Sequence, residues 1–449
     1  MSRRRALVAL AAAAVAAGAL LLGGVLSGSP APDRTAAAAG AAPTAFDQAS
    51  LGRLLQGVST GDTAGYVRRL ERRVAVHARD GAALTLLGLA YQQRARETGD
   101  PTFYSLSSRA LARATAAGGR LPLVVQGRAS LANTRHQFRS GLRLARRAVK
   151  LDPDNGAAYG ALGDALLNLG RYHDAFRVYD QMAVLAPGIA SYTRVANARE
   201  LLGRPRAAAA ADALAPEADR SPVPENVAWA MVQRGNVGFN TGRLDVAAKA
   251  YRAALRRRPG YVHAEAGLAR VEASEGHYRM AIARLRRVVE ILPIPAYVIM
   301  LGDVLHVSGH EAAAQREYAL VGAIERLFAA NGVRTELQTA VFDLDHGRRV
   351  ADALHRARAA YVSAPGVYAE DALAWGLFRA GRCEEARAHS VHALRLGTRD
   401  ALLVFHRAMI ERCLGARSAN AWFRRALAVN PHFSFLWAPV ARLALAAGS

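Results

Sequence analysis

The sequence predicts an all-α solenoid of stacked helical hairpins, and three observations carry that prediction. Glycines recur as Gly170, Gly203, Gly242, Gly276, Gly309, Gly347, Gly381, Gly415 and Gly448, at gaps of 33 to 39 residues. Seven positions before each stands another small residue: Gly163, Ala196, Gly235, Ala269, Gly302, Ala340, Ala374, Ala408 and Ala441. Five positions after come Ala175, Ala208, Ala247, Ala281, Ala314 and Ala386, with Asp352 and Asn420 as departures. Alanine is abundant in this chain, so small columns alone prove little. Locked to one glycine register, they define a repeat.

The elements follow in order. Arg3, Arg4 and Arg5 precede an apolar run from Ala6 to Leu26, the layout of an export signal. Residues 1–26 are therefore a signal peptide or an N-terminal membrane anchor. The alanines Ala36 to Ala39 offer small-residue cleavage sites, whereas the 21-residue run is long enough to span a bilayer core uncleaved. Both outcomes stay open. Ser2-Arg3-Arg4 faintly resembles a twin-arginine signal, but Ala6 stands where that motif favours phenylalanine. No cysteine follows the run, which excludes a lipid-anchored lipoprotein. Residues 27–46 are mostly Ala, Pro, Gly and Ser with little apolar bulk and read as a flexible linker.

Residues 47–118 read as irregular helical repeats, with a Gly-Asp-Pro turn inserted between two helices at Glu97 to Ser105. Residues 119–433 hold the regular array. In its clearest unit, Ala157 to Leu169 carries Tyr159, Leu162, Leu166 and Leu169 at helical spacing, and Gly170 breaks the helix. Arg171 to Leu185 then carries Ala175, Tyr179 and Met182 before Pro187 bars continuation. Small residues are needed where helices cross at roughly 8–10 Å, because a larger side chain would push the axes apart. Two places depart from the pattern. Pro216, Pro222 and Pro224 lengthen one connection, and residues 311–347 hold an overlong helix and an Asp343-Leu344-Asp345 segment. Tyr297 to Val307 is rich enough in β-branched residues for a strand, but the Gly302 and Gly309 register argues helix. Residues 434–449 repeat a first helix, with Trp437, Val440 and Ala441 in their columns, and read as the capping helix a solenoid needs.

These columns resemble the tetratricopeptide repeat family, whose unit is 34 residues. Tyr159, Leu162, Gly163, Ala175, Tyr179 and Pro187 fit its pattern, as do Gly235, Ala247, Tyr251, Ala254 and Pro259, and Phe423, Ala426 and Pro431. The resemblance implies a right-handed superhelix whose concave face is lined by first helices and holds extended peptides or helices. On those helices Asn133, Asn168, Asn197, Asn236, Asn240, Arg270, Asp303, Tyr368, Asp371 and Arg379 point away from the second-helix contact. Phe239 joins them, and Trp229 and Trp375 join them or belong to the core. Asparagine both donates and accepts, so a row of it can pair with a peptide backbone, or simply keep the face wet.

The chemistry of catalysis is missing from the pattern. Gly57-Val58-Ser59-Thr60-Gly61 fits a nucleophile elbow, but helical patterns flank it where a strand is needed. His310-Glu311 begins a zinc motif that Ala314 leaves open. His306 and His310 lie across a turn, and His389 and His392 alone make a poor metal site. No catalytic residue, metal or cofactor is expected, and an enzyme is a distant alternative. Cys383 and Cys413, the only cysteines, fall at the same end of neighbouring antiparallel helices; after export they form a disulfide if their Cα atoms come within about 7 Å, and otherwise are two half-buried cysteines.

The formal charge is +23, almost all from arginine, since Lys150 and Lys249 are the only lysines. Arginines cluster on second helices as Arg143, Arg146 and Arg147, Arg252 and Arg256 to Arg258, Arg284, Arg286 and Arg287, and Arg424 and Arg425. They form a solvated outer face or a contact for anionic envelope polymers or lipid headgroups. No nucleic-acid partner is expected, because no stacking module accompanies the charge. The expected function is an exported scaffold binding proteins or peptides, for envelope assembly. The alternative is a membrane-anchored accessory or sensor subunit of an envelope or transport system.

Overall fold

The computed structural model describes residues 62–119, 121–217 and 224–447. The N-terminal apolar run, the linker, the Ser59 motif and Gly448 lie outside them. Among the described residues there are 22 helices and no strand. Helix α1 (Thr63–Val76) precedes ten antiparallel hairpins. These are α2–α3 (Gly81–Thr98, Thr102–Ala116), α4–α5 (Leu121–Thr134, Phe138–Leu151), α6–α7 (Gly156–Asn168, Tyr172–Leu185), α8–α9 (Ile189–Leu201, Pro205–Glu217) and α10–α11 (Pro224–Asn240, Leu244–Arg257). Then come α12–α13 (Val262–Ser274, Tyr278–Ile291), α14–α15 (Pro295–Val307, Glu311–Ala330), α16–α17 (Glu336–Asp345, Val350–Ser363), α18–α19 (Val367–Arg379, Cys383–Ala393) and α20–α21 (Ala401–Cys413, Ala419–Val429). Helix α22 (Trp437–Ala446) closes the array and buries Ala438, Ala441 and Ala444. It starts three residues later than the Ser434 that the repeat pattern suggests.

The small columns work by making room for a ring. A methyl at Gly163, Gly235 or Gly302 would lie 2.3, 2.4 or 2.3 Å from Tyr179, Tyr251 or Tyr318. Each tyrosine hydroxyl then donates to the residue that follows the glycine: Asp164 at 2.9 Å, Asn236 at 2.8 Å and Asp303 at 2.8 Å. Glycine, ring and acceptor form one unit of packing, repeated in hairpins 3, 5 and 7. The turn glycines from Gly170 to Gly415 all have positive φ, as a tight interhelical turn requires.

Asp352 and Asn420 are not departures from the second small column. Buried Ala353 and Ala419 fill it, one residue away. After Gly347, Arg349 also adopts a left-handed conformation and lengthens the turn; after Gly415 the next helix begins only at Ala419. The overlong helix resolves into the 20-residue α15 followed by α16, and Tyr297 to Val307 is helical.

The coil returns onto itself. In hairpins 2 to 5 the turn between the two helices meets the loop that follows the hairpin five units later. His136 Nδ1 lies 2.6 Å from the Arg334 carbonyl, and the Arg334 amide donates to the Arg135 carbonyl at 3.2 Å. Val367 N donates to the Tyr172 hydroxyl at 2.6 Å, across 195 residues. A methyl on Gly203 would sit 2.2 Å from the Gly397 carbonyl oxygen. Asn430 Nδ2 donates to the Phe239 carbonyl at 2.9 Å, across 191 residues. These contacts stitch one coil to the next along a continuous seam. Near the N-terminus, Gln93 of α2 reaches Glu225 of α10 at 3.2 Å, and Ser105 reaches Asn331 at 2.8 Å.

Cys383 at the start of α19 and Cys413 at the end of α20 form a disulfide, with Cα atoms 6.2 Å apart. No helix among the described residues is long and apolar enough to cross a membrane.

Candidate functional site

First helices line the inside of the coil, and the residues singled out there have different fates. Asn133 is buried and donates to the Ala161 carbonyl at 2.7 Å, pinning hairpin 2 to hairpin 3. Asn197 is buried as well, and Asn236 accepts from Tyr251. Asn168 donates to its own helix at Asp164 O, and exposed Asn240 donates to Glu200 Oε1 at 2.9 Å. The asparagines therefore do not form a free row, because the same helix face also packs on the next hairpin. Phe239 and Trp375 are core. Arg270 lies over the Phe239 ring at 3.7 Å, and Arg379 lies over Trp375 and Trp437 at 5.6 and 5.9 Å. Trp375 and Trp437 both donate through Nε1 to Asp345, at 3.0 and 3.1 Å.

Acid–base pairs run along the inside of the array. Arg194 holds both oxygens of buried Asp164 at 2.8 Å, Asp303 meets His346 at 2.8 Å, and Asp371 meets buried His406 at 2.8 Å. Glu370 gathers His389, His392 and Arg395, so the histidine pair serves a carboxylate. Among the described residues no group of three could hold a metal. Pairs of this kind fix which helices are neighbours more than they add net stability, since both charges lose solvation. Burial alone would depress His406, yet Asp371 and its other acidic neighbours lift it above its ordinary value.

Hairpin 4 breaks the packing rule. Asp212 stands in the column of Tyr179, Tyr251 and Tyr318, four residues after Ala208, and Ala196 stands in the column of their glycines. The carboxylate is 2% exposed, and neither oxygen has a partner. Burial, and then Glu200, push its carboxyl well above the usual range. Burial also raises Glu200, Asp345 and Asp400, which favours the neutral form of each.

Outside, Arg143, Arg146, Arg147, Arg252, Arg256, Arg257, Arg286, Arg287, Arg424 and Arg425 are exposed. Arg284 turns inward between Glu265 and Glu272. Two features escaped the sequence reading. His136 falls 34 residues before Gly170, takes the left-handed turn conformation in place of glycine and contacts the returning coil. The repeat spacing could have revealed it. A cavity of about 280 Å³ between the coils, with Asn168 and Tyr368 in its wall, has no local sequence signal.

A tetratricopeptide repeat family model matches residues 126–188 and 232–293. No curated protein matches the chain. Among solved structures, PilW, a widely conserved type IV pilus biogenesis factor, is similar at 17% identity, over 46% of this chain and 94% of that one, with a TM-score of 0.38. YrrB, a repeat protein of this kind with an unusual peptide-binding site, is similar at 19% identity, over 41% of this chain and 90% of that one, with a TM-score of 0.29. The human IFIT1 dimer with m7Gppp-AAAA is similar at 12% identity, over 84% of this chain and 89% of that one, with a TM-score of 0.46.

Proposed function

The chain is a tetratricopeptide repeat protein, and from that premise we propose that it is an exported, non-enzymatic scaffold that binds a protein or peptide on the inside of its coil. The observation that carries this reading is the division of charge. Glu200, Asp303, Asp345 and Asp371 lie on first helices inside, while the arginine clusters from Arg143 to Arg425 stand exposed on second helices outside. Complementary potential draws a basic or donor-rich segment inward and keeps other cations off the outer face. Export is supported by the arginine-led apolar run at the N-terminus and by a disulfide, a bond that persists in oxidising compartments. In the envelope, the outer arginines face anionic polymers or headgroups, and the partner is one assembled there.

A photocrosslinking residue at Asn240 tests the inner face, with the same residue at Arg146 as the outer control. Partner adducts at Asn240 and none at Arg146 are expected; the reverse would sink the assignment. The second reading, an anchored accessory or sensor subunit, is favoured by the length of the run from Ala6 to Leu26. N-terminal sequencing of the mature chain separates the two, because a start near residue 40 removes the anchor.

A further inference from the structure

We propose that the open edges of the coil join a second copy of this chain head to tail, so that the seam inside one molecule continues between molecules. This goes beyond the binding reading, because it uses the ends of the hairpins and leaves the inner face free. Two kinds of edge make the seam. The turns of hairpins 2 to 5 face one way along the coil, and the loops after hairpins 7 to 10 face the other way and meet them. Such a contact is heterologous, since turn meets loop and never turn meets turn. One edge of each kind is left over: the turns of the second coil and the loops of the first.

Both leftover edges keep the shape of their matched counterparts. Gly170 has φ 72°, and a methyl on it would lie 2.5 Å from the Pro365 carbonyl oxygen. Gly309, Gly381 and Gly415 hold φ 82°, 76° and 65°, and a methyl there meets nothing within 4 Å among the described residues. The loops repeat the contrast. Ala364-Pro365-Gly366 packs on the turn of hairpin 3, where a methyl on Gly366 would lie 3.3 Å from the Asn168 carbonyl and 3.4 Å from the Tyr172 hydroxyl. The same tripeptide follows hairpin 3 as Ala186-Pro187-Gly188, and each final glycine is the N-cap of the next first helix. A methyl on Gly188 meets nothing, and neither does one on Gly118 or Gly260 in the loops after hairpins 1 and 5. The chain thus displays, unmatched, both halves of an interface it already makes.

What the matched loops offer is largely backbone. Gln137 Nε2 donates to the Gly332 carbonyl at 3.1 Å, Arg139 Nη2 to the Val362 carbonyl at 3.0 Å, and His136 Nδ1 is held at the Arg334 carbonyl. Carbonyls recur in any loop, so the selective element is the spacing of successive loops along the coil. A second copy carries that spacing by construction. Because the coil's own screw relates the two copies, no ring closes and addition continues. The last helix fits this reading. Leu443 on α22 is 69% exposed, whereas a terminal repeat that stays in water needs a polar outer face.

Sedimentation velocity of the full chain across the micromolar range should show species beyond the dimer that grow with concentration. Lys150 and Lys249 allow the contact to be mapped without altering the chain. Lys150 stands exposed beside the open loop after hairpin 2, and Lys249 stands exposed midway along α11. An amine-reactive diazirine linker on a mixture of isotopically light and heavy chains should join Lys150 to turns of hairpins 7 to 10 in another chain, and Lys249 to none of them. Gly188→Trp, placed where the folded chain has space, should weaken association about tenfold or more with unchanged circular dichroism. Leu320→Trp, on an exposed outer position of α15, should leave association intact. A monomer at every concentration, growth that stops at the dimer, light–heavy links from Lys150 to other regions, or full association of Gly188→Trp would overturn the proposal.

Discussion

Hairpins 3 to 5 and hairpins 9 and 10 use the same glycine turn under different constraints. Gly170, Gly203 and Gly242 have positive φ and also lie against the returning coil, at Pro365, Gly397 and Asn430–Pro431. Gly381 and Gly415 have the same conformation with nothing within 4 Å. In the first coil the turn edge is held by the seam. In the second coil that edge is open, and there the Cys383–Cys413 disulfide joins the two hairpins. Identical residues in one register therefore answer two demands, of which the repeat pattern announces only the first. Conformation is local; contact is not.

The largest expected effect comes from breaking that contrast directly. Gly203→Val adds a β-branched side chain in the left-handed region and drives it into the Gly397 carbonyl, for a cost of about 4 kcal/mol. Gly415→Val meets only the conformational penalty, about 2 kcal/mol. Hydrogen exchange should show the seam opening in the first variant alone, and equal protection loss in both would refute the distinction. Next in size, replacing Cys383 and Cys413 by serine should cost about 2–4 kcal/mol for a 30-residue loop. The loosening should stay within hairpins 9 and 10, and spreading to hairpin 4 would show the two edges are not independent.

A smaller gain is expected inside the first coil. Asp212→Tyr combined with Ala196→Gly rebuilds the ring-and-glycine unit and lets the hydroxyl reach Asn197, raising stability by about 1–2 kcal/mol. Asp212→Tyr alone should destabilise, because the ring meets the Ala196 methyl. Chemical denaturation ranks the three chains. The raised carboxyl also has a pH signature. The folded chain holds the Asp212 proton more tightly than the unfolded chain, so stability falls as pH climbs from about 4 through the raised folded value. Asp212→Asn should flatten that slope. The smallest effect is His136→Gly, which relieves a left-handed residue and loses the bond to the Arg334 carbonyl. The two terms offset to within about 0.5 kcal/mol, with the loss confined to exchange protection at Arg334.

The fold was legible because close helix crossings leave their mark within a few residues: Gly163 is needed by Tyr179, and Gly170 by the turn beside it. The one-residue shifts at Ala353 and Ala419 were not, since turn length is absorbed by the conformations of Arg349 and the residues after Gly415. The inner surface was only partly readable. Asn133 stands three residues before its turn residue and Asn240 two before Gly242, an offset that turns the first into the next hairpin and the second outward. The seam and its cavity were invisible for a deeper reason. They arise from the summed small rotation of five hairpins, a quantity no single motif encodes.

The stitching of the last four loops to turns five units earlier has a consequence for how such a molecule can change length over generations. Duplicating or losing one internal unit would put each later loop opposite the wrong turn, so Gly203 would face a neighbour not shaped to receive it. Additions at either terminus disturb no existing pairing. Growth by extension is therefore tolerated, while editing in the middle is forbidden by geometry.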